Sequence, residues 1–136
     1  VFFASVKGVL LLIVYASKTG HVARLVARLG QKSLRIQDGR ETIHEPCLLI
    51  TYTTGFGEVP GAVLAFVERN RPLIRGVAAS GNRNWGSNFA RSADVLAERY
   101  GIPVVHKFEM SGTPKDLEII QEALHALSGT EQCATA

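Results

Sequence analysis

Continuous apolar runs alternate along the chain with segments of helical period. Val9 to Tyr15, Cys47 to Tyr52, Val77 to Ser80 and Ile102 to Val105 carry no polar face, which predicts strands covered on both sides. Leu34-Arg35-Ile36 alternates and reads as a short edge strand. Between them, Val22, Leu25, Val26 and Leu29 fall on one helical face, as do Val63, Phe66 and Val67. Phe89, Ala93, Leu96, Ala97 and Tyr100 form a third stripe, and Leu117, Ile120, Leu124 and Leu127 a fourth. Start signals accompany the stripes: Pro60 suits a first turn, Ser87 or Asn88 a cap, and Thr113-Pro114-Lys115-Asp116 combines an N-cap, an N1 proline and an acidic N3 partner.

Strand and helix segments in this order predict an α/β fold: a doubly wound, five-stranded parallel sheet of order 2-1-3-4-5 between two helical layers, a three-layer sandwich. One crossover is anomalous. "QDGRETIHEP" has no helical stripe, although a parallel crossover usually carries a helix, so it is either an irregular loop or evidence that the edge strand lies elsewhere. No repeat or interdomain linker interrupts the pattern. Residues 1–136 are expected to form one domain, with 1–8 and 128–136 as flexible ends.

Composition narrows the function. At 136 residues the chain suits one hydrophobic core, and 46% hydrophobic against 20% charged residues is too apolar for a disordered chain. The net charge of +3 favours anionic ligands, but Lys and Arg are scattered, so no nucleic-acid partner is expected. The leading "VFFASVKGVLLLIVYA" is interrupted by Lys7 and Gly8 and is too short to span a bilayer, so no membrane partner is expected either. Cys47 and Cys133 fit no CxxC or Cys/His spacing, and the four histidines never pair at ligand spacing. A cytoplasmic protein without a protein-held metal follows as the expectation.

In an open α/β sheet the loops at the carboxyl ends of the strands share the ligand site. After the first strand, "ASKTGHV" offers the hydroxyls of Ser17 and Thr19 and a glycine at a helix start, where free N–H groups and the dipole suit a phosphate. No GK[ST] completes a Walker A pattern, which disfavours nucleotide hydrolysis. An ordinary capped turn is the competing reading. After the third strand, "YTTGFGEVPG" clusters Gly55, Gly57 and Gly61 around Phe56. It departs from a dinucleotide fingerprint in position and partner, and suits either a flexible turn or a backbone edge laid against a planar ligand. After the fourth, "SGNRNWGSNF" sets Trp85 among Asn82 and Asn84, where it is either a core lid or an aromatic platform. Together the loops describe a flat heteroaromatic ring tethered to a phosphate, which flavin mononucleotide (FMN) fits best.

"ITYTTGFGEVPGAVLAFVERN", "GVAASGNRNWGSNFARSADVLA" and "KFEMSGTPKDLE" resemble the NrdI family of flavodoxin-like ribonucleotide reductase stimulatory proteins, a resemblance running from about Val9 to Leu127. It implies an FMN-binding redox protein serving class Ib ribonucleotide reductase. The reduced flavin would react with dioxygen and deliver superoxide or hydroperoxide to the small radical-bearing subunit, where a dimanganese site and a tyrosyl radical form. A flavin-reducing electron donor is implied as a further partner. By position, Ser17, Lys18, Thr19, Gly20, His21 and Val22 would hold the phosphate. Thr53, Thr54, Gly55, Phe56 and Gly57 would border the ring on one side, and Asn82, Asn84, Trp85 and Gly86 on the other. His21 departs from the asparagine frequent in the family, which puts its side-chain contact in doubt.

No catalytic acid, base or nucleophile is expected, because the flavin carries the chemistry. Two alternatives stand beside this reading. A general flavodoxin-type electron carrier would share the fold, though such carriers are typically acidic. A phosphate-binding receiver module would need an acidic pair after the first strand, which is missing.

Overall fold

In the computed structural model, residues 11–54, 57–82, 86 and 89–135 are described, 128–135 by their backbone. The elements run β1 (Leu12–Tyr15), α1 (His21–Leu29), β2 (Ser33–Arg35), β3 (Cys47–Tyr52) and α2 (Gly61–Asn70). A 3-10 turn (Arg71–Leu73), β4 (Ile74–Gly81), α3 (Arg91–Tyr100), β5 (Val104–Glu109) and α4 (Pro114–Thr135) complete the chain. All strand pairs are parallel and the order is β2-β1-β3-β4-β5, as the pattern predicts.

The unbroken apolar strands are explained by two cores on opposite faces of one sheet. Successive side chains of a strand point to opposite faces. Leu12, Val14 and Leu49 therefore pack with Val63, Phe66 and Val67 of α2 and Ala93 and Leu96 of α3. Their neighbours Ile13, Leu48 and Ile50 pack with Val22, Leu25 and Val26 of α1 and Ile120 and Leu124 of α4. Cys47, at the head of the central strand β3, is fully buried, and burial pushes its thiol up to about 12. It is a packing residue and no nucleophile at neutral pH.

Several boundaries differ from the sequence expectation. β4 starts at Ile74 rather than Val77, and β5 occupies Val104–Glu109 rather than Ile102–Val105. Ile102 is buried ahead of the strand, while Pro103 lacks an N–H and only its carbonyl joins the ladder, accepting from Val77 N–H at 2.9 Å. Polar residues in β5 are tolerated at the sheet edge because they find partners: Lys107 pairs with Asp94 of α3 at 2.6 Å and His106 with Asp116 of α4 at 2.6 Å. Pro60 is the N-cap of α2 and not its first turn. α3 starts only at Arg91, capped by Ala90 in the left-handed region (φ 48), so Phe89 lies outside it; the proposed caps Ser87 and Asn88 lie outside the described residues. α4 continues to Thr135, past the apolar stripe that ends at Leu127.

The anomalous crossover is an irregular loop, and the edge strand stands one residue ahead of the expected Leu34–Ile36, at Ser33–Arg35. Asn70, buried at the end of α2, accepts from Ile43 N–H at 3.0 Å and donates to Glu41 O at 2.8 Å and Phe66 O at 3.1 Å. Ile43 is thereby held in the core facing α2. The Glu41 carboxylate folds back onto the amides of Gln37 (2.6 Å) and Gly39 (3.0 Å). A side-chain amide and a carboxylate thus do for this segment what helical hydrogen bonds do elsewhere.

Candidate functional site

β1 continues its ladder through Ala16, whose N–H donates to Ile50 O at 3.0 Å, and then turns away from the sheet. The turn ends at Gly20, which caps α1 in the left-handed region at φ 94, a conformation that glycine adopts without steric cost. Arg35 Nη2 holds the Ser17 carbonyl at 2.9 Å. Of the first-turn amides, Ala23 N–H donates to Ser17 Oγ at 3.2 Å, while helix geometry leaves those of His21 and Val22 without an intrahelical acceptor. No acidic side chain occupies this turn, so the positive end of α1 is not neutralised from within it.

The loop after β3 is tied to β4 and α3. Thr53 N–H donates to Ser80 O at 3.1 Å, and the Thr53 and Ser92 hydroxyls share a buried 2.8 Å hydrogen bond. Thr54 and Glu58 exchange backbone hydrogen bonds of 3.0 and 2.7 Å that close the glycine-rich turn. At Gly57 φ is 97, and a Cβ there would stand 2.8 Å from Arg91 Cδ. After β5, Met110 takes φ 54 and accepts from Ser80 Oγ at 2.8 Å, which draws a fourth loop to the same edge.

These loops enclose a cavity of about 370 Å³, within the range of small-molecule sites. Eight of the residues expected from sequence line it: Ser17, Lys18, Thr19, His21, Val22, Thr53, Thr54 and Asn82. Tyr52, Ser80, Gly81 and Met110 line it as well. Gly20 contributes as the helix cap. Gly57 instead lines a neighbouring groove with Glu58, Arg91 and Arg99, and the Gly86 carbonyl accepts from Phe89 N–H at 2.9 Å. Gly55, Phe56, Asn84 and Trp85 lie outside the described residues. Met110 is not among the residues that the sequence singles out, although "EMSG" places a glycine-bearing turn after a strand at the same sheet edge.

The geometry carries a phosphate-type cradle at one end and a mixed wall of Tyr52, Thr53, Thr54, Asn82 and Met110 along the rest. A family model described as "NrdI Flavodoxin like" matches residues 13–122. A Protein NrdI from Bacillus licheniformis is 50% identical over 110 residues, 81% of this chain and 84% of that protein. The chain belongs to the NrdI flavodoxin-like family. Solved structures add the fold at the level of architecture. Oxidised flavodoxin 1 from Bacillus cereus superposes with a TM-score of 0.61 at 19% identity, covering 88% of this chain and 97% of that one. A Fusobacterium nucleatum flavodoxin bound to flavin mononucleotide does so at 0.53 and 16%, covering 91% and 97%. The NrdI match runs from Ile13 in β1 to Glu122 in α4, so every loop around the cavity lies inside it.

Among the described residues no group of three or more His, Cys, Asp and Glu side chains is placed to hold a metal ion, and no helix is long and apolar enough to cross a membrane. What the site offers is hydrogen-bond donors for an anion and a wall of mixed polar and apolar side chains.

Proposed function

We propose that the protein binds FMN in this cavity and acts as a redox activator of class Ib ribonucleotide reductase. The observation that carries the reading is the meeting of the α1 start with the loops after β3, β4 and β5 around one cavity. The donor set fits the group. Ser17 and Thr19 hydroxyls, Lys18 and the first amides of α1 suit a phosphate dianion, which helix N-termini bind without further aid. Thr53, Thr54 and Asn82 present polar edges, and Tyr52 and Met110 an apolar body, to the rest of the molecule.

When bound, FMN would supply one- and two-electron exchange and the reduction of dioxygen to superoxide or hydroperoxide. The chain's own contribution is positional. The Thr53–Ser92 hydroxyl pair keeps the β3 loop against the start of α3, and Ser80 keeps the Met110 turn at the cavity wall. Among the described residues of the β3 and β4 loops, Glu58 is the one carboxylate, so little negative charge opposes an added electron at the ring. The partner would be the small radical-bearing subunit, whose dimanganese site and tyrosyl radical would be assembled with the oxidant, and an electron donor would be needed to reduce the flavin.

The test is a visible spectrum of the purified protein with added FMN, followed by anaerobic reduction and mixing with manganese-loaded small subunit and dioxygen. Bound flavin and a tyrosyl-radical signal that appears only with this protein present and reduced are the expected results. Flavin binding without radical formation would leave the general electron carrier; a colourless protein after incubation with FMN would overturn the reading.

A further inference from the structure

A phosphate can be held at a helix start by amides and hydroxyls alone, and the sequence gives no reason to add an arginine. The structure brings one there. Arg24 is one turn along α1 from Gly20 and His21, on the same helical row, and helical side chains lean toward the N-terminus. Its guanidinium reaches back so far that a Cβ built on Gly20 would stand 3.7 Å from Arg24 Nη2 and 4.0 Å from Cζ. A cation therefore lies directly against the N-cap of the helix whose first residues, His21 and Val22, line the cavity.

Its other nitrogen, Nη1, is 3.2 Å from His21 Nδ1 and 3.4 Å from Ser111 Oγ, with His21 Nδ1 and Ser111 Oγ 3.1 Å apart. Guanidinium has no lone pair to offer, so in the Arg24 contact Nδ1 is the acceptor and the ring proton sits on Nε2. His21 itself lines the cavity. The ion pairs of the described residues use Lys32, Arg40, His106, Lys107 and Lys115; Arg24 is in none of them. Its charge is thus not spent on a carboxylate of the described residues. Arg28, one turn further, holds the Ser111 carbonyl at 2.5 Å and so steadies the same turn from behind.

We propose that Arg24, reaching back over Gly20 and fixing His21 as an Nε2–H donor, is the specificity residue by which the cavity selects a phosphorylated ligand over its dephosphorylated form. The inference rests on the FMN reading and adds to it the residue that tells FMN from riboflavin. Lys18 lines the cavity from the loop, but no atom of it comes within 4 Å of a Cβ placed on Gly20, where Arg24 stands.

The experiment measures dissociation constants of FMN and riboflavin by fluorescence quenching for the wild-type apoprotein and for Arg24→Gln, Arg24→Lys and His21→Phe. Losing a charge-assisted contact in Arg24→Gln is expected to weaken FMN by about tenfold and leave riboflavin within about twofold. Arg24→Lys, which keeps the charge without the fork, falls between, and His21→Phe lowers the FMN-to-riboflavin preference without abolishing flavin binding. Raising salt should narrow the gap between wild type and Arg24→Gln, because the lost term is between exposed charges. FMN affinity unchanged in Arg24→Gln, or both flavins weakened equally, would overturn the proposal and make Arg24 a brace for the Ser111 turn. Wild type binding both flavins equally would overturn it while flavin binding itself stands. Wild type binding neither would remove the FMN reading on which it depends.

Discussion

Two glycines that look alike in sequence do opposite work. Gly57 has φ 97, where an L side chain is strained, and its Cβ would stand 2.8 and 3.0 Å from Arg91 Cδ and Cβ. Gly61, at the start of α2, has open space within 4 Å and no positive φ. Gly57→Ala is therefore expected to lower stability by about 1–2 kcal/mol, and Gly61→Ala to raise it by about 0.4–1 kcal/mol, both read from urea unfolding. Equal effects would show that the backbone at Gly57 is free to relax. The sequence pointed to the glycine cluster but not to this division of labour, because conformation and clearance are properties of the folded chain. Arg24 was illegible for the same reason: an exposed helical arginine has the pattern of a solvated face until the direction of its side chain is known. Ser17 and Thr19 were legible as cavity residues because strand end, hydroxyl and helix start follow one another there in the chain itself, whereas Thr53 was singled out only by the family resemblance.

At the scale of elements, the α4 start and the β2–β3 crossover are the informative pieces. Burial alone would raise the Asp116 carboxyl, but the His106 side chain and the Thr113 amide and hydroxyl all hydrogen-bond it and hold it below its ordinary value. A depressed carboxylate stabilises the fold above its unfolded-state pKa, near 4, and loses that contribution as pH falls through the folded-state value. Asp116→Asn is thus expected to be less stable than wild type at pH 7, with the difference shrinking below about pH 4; urea midpoints at pH 7, 5 and 3 check it. Asn70→Ala strands the buried Ile43 N–H and frees the crossover. A loss of about 2–3 kcal/mol is expected, with FMN affinity retained because the loop lies away from the cavity. The Thr113–Asp116 box was readable as a four-residue motif with its own physics. The crossover was readable only as an absence, since what replaces the helix is a buried amide almost thirty positions on in the chain.

For the whole molecule, the cavity joins loops that belong to β1, β3, β4 and β5, so a ligand there bridges segments distant in sequence and binds only the folded chain. FMN at one hundred times its dissociation constant is expected to add about 2.7 kcal/mol to the unfolding free energy, seen as a concentration-dependent rise in Tm. A Tm indifferent to FMN would mean that no such bridge forms. The architecture was legible almost entirely: strand order and both helical layers follow from apolar runs, because a sheet covered on both faces leaves an unbroken signature. Strand ends at the edge were less so, as in β5, where His106 and Lys107 are accommodated by partners on α3 and α4 that no local pattern announces.

Cys47 gives this architecture a clock. Its sulfur is sealed in the central strand, and a thiol that ionises only near 12 is doubly shielded from a labelling reagent, by access and by protonation. In a Cys133→Ser background, the rate at which a maleimide or disulfide reagent captures Cys47 should follow the fleeting population in which β3 is released, and not the fraying of chain ends. Saturation with FMN should slow that capture in proportion to the added stability, whereas capture at the speed of a surface thiol would place Cys47 in a part of the sheet that opens on its own.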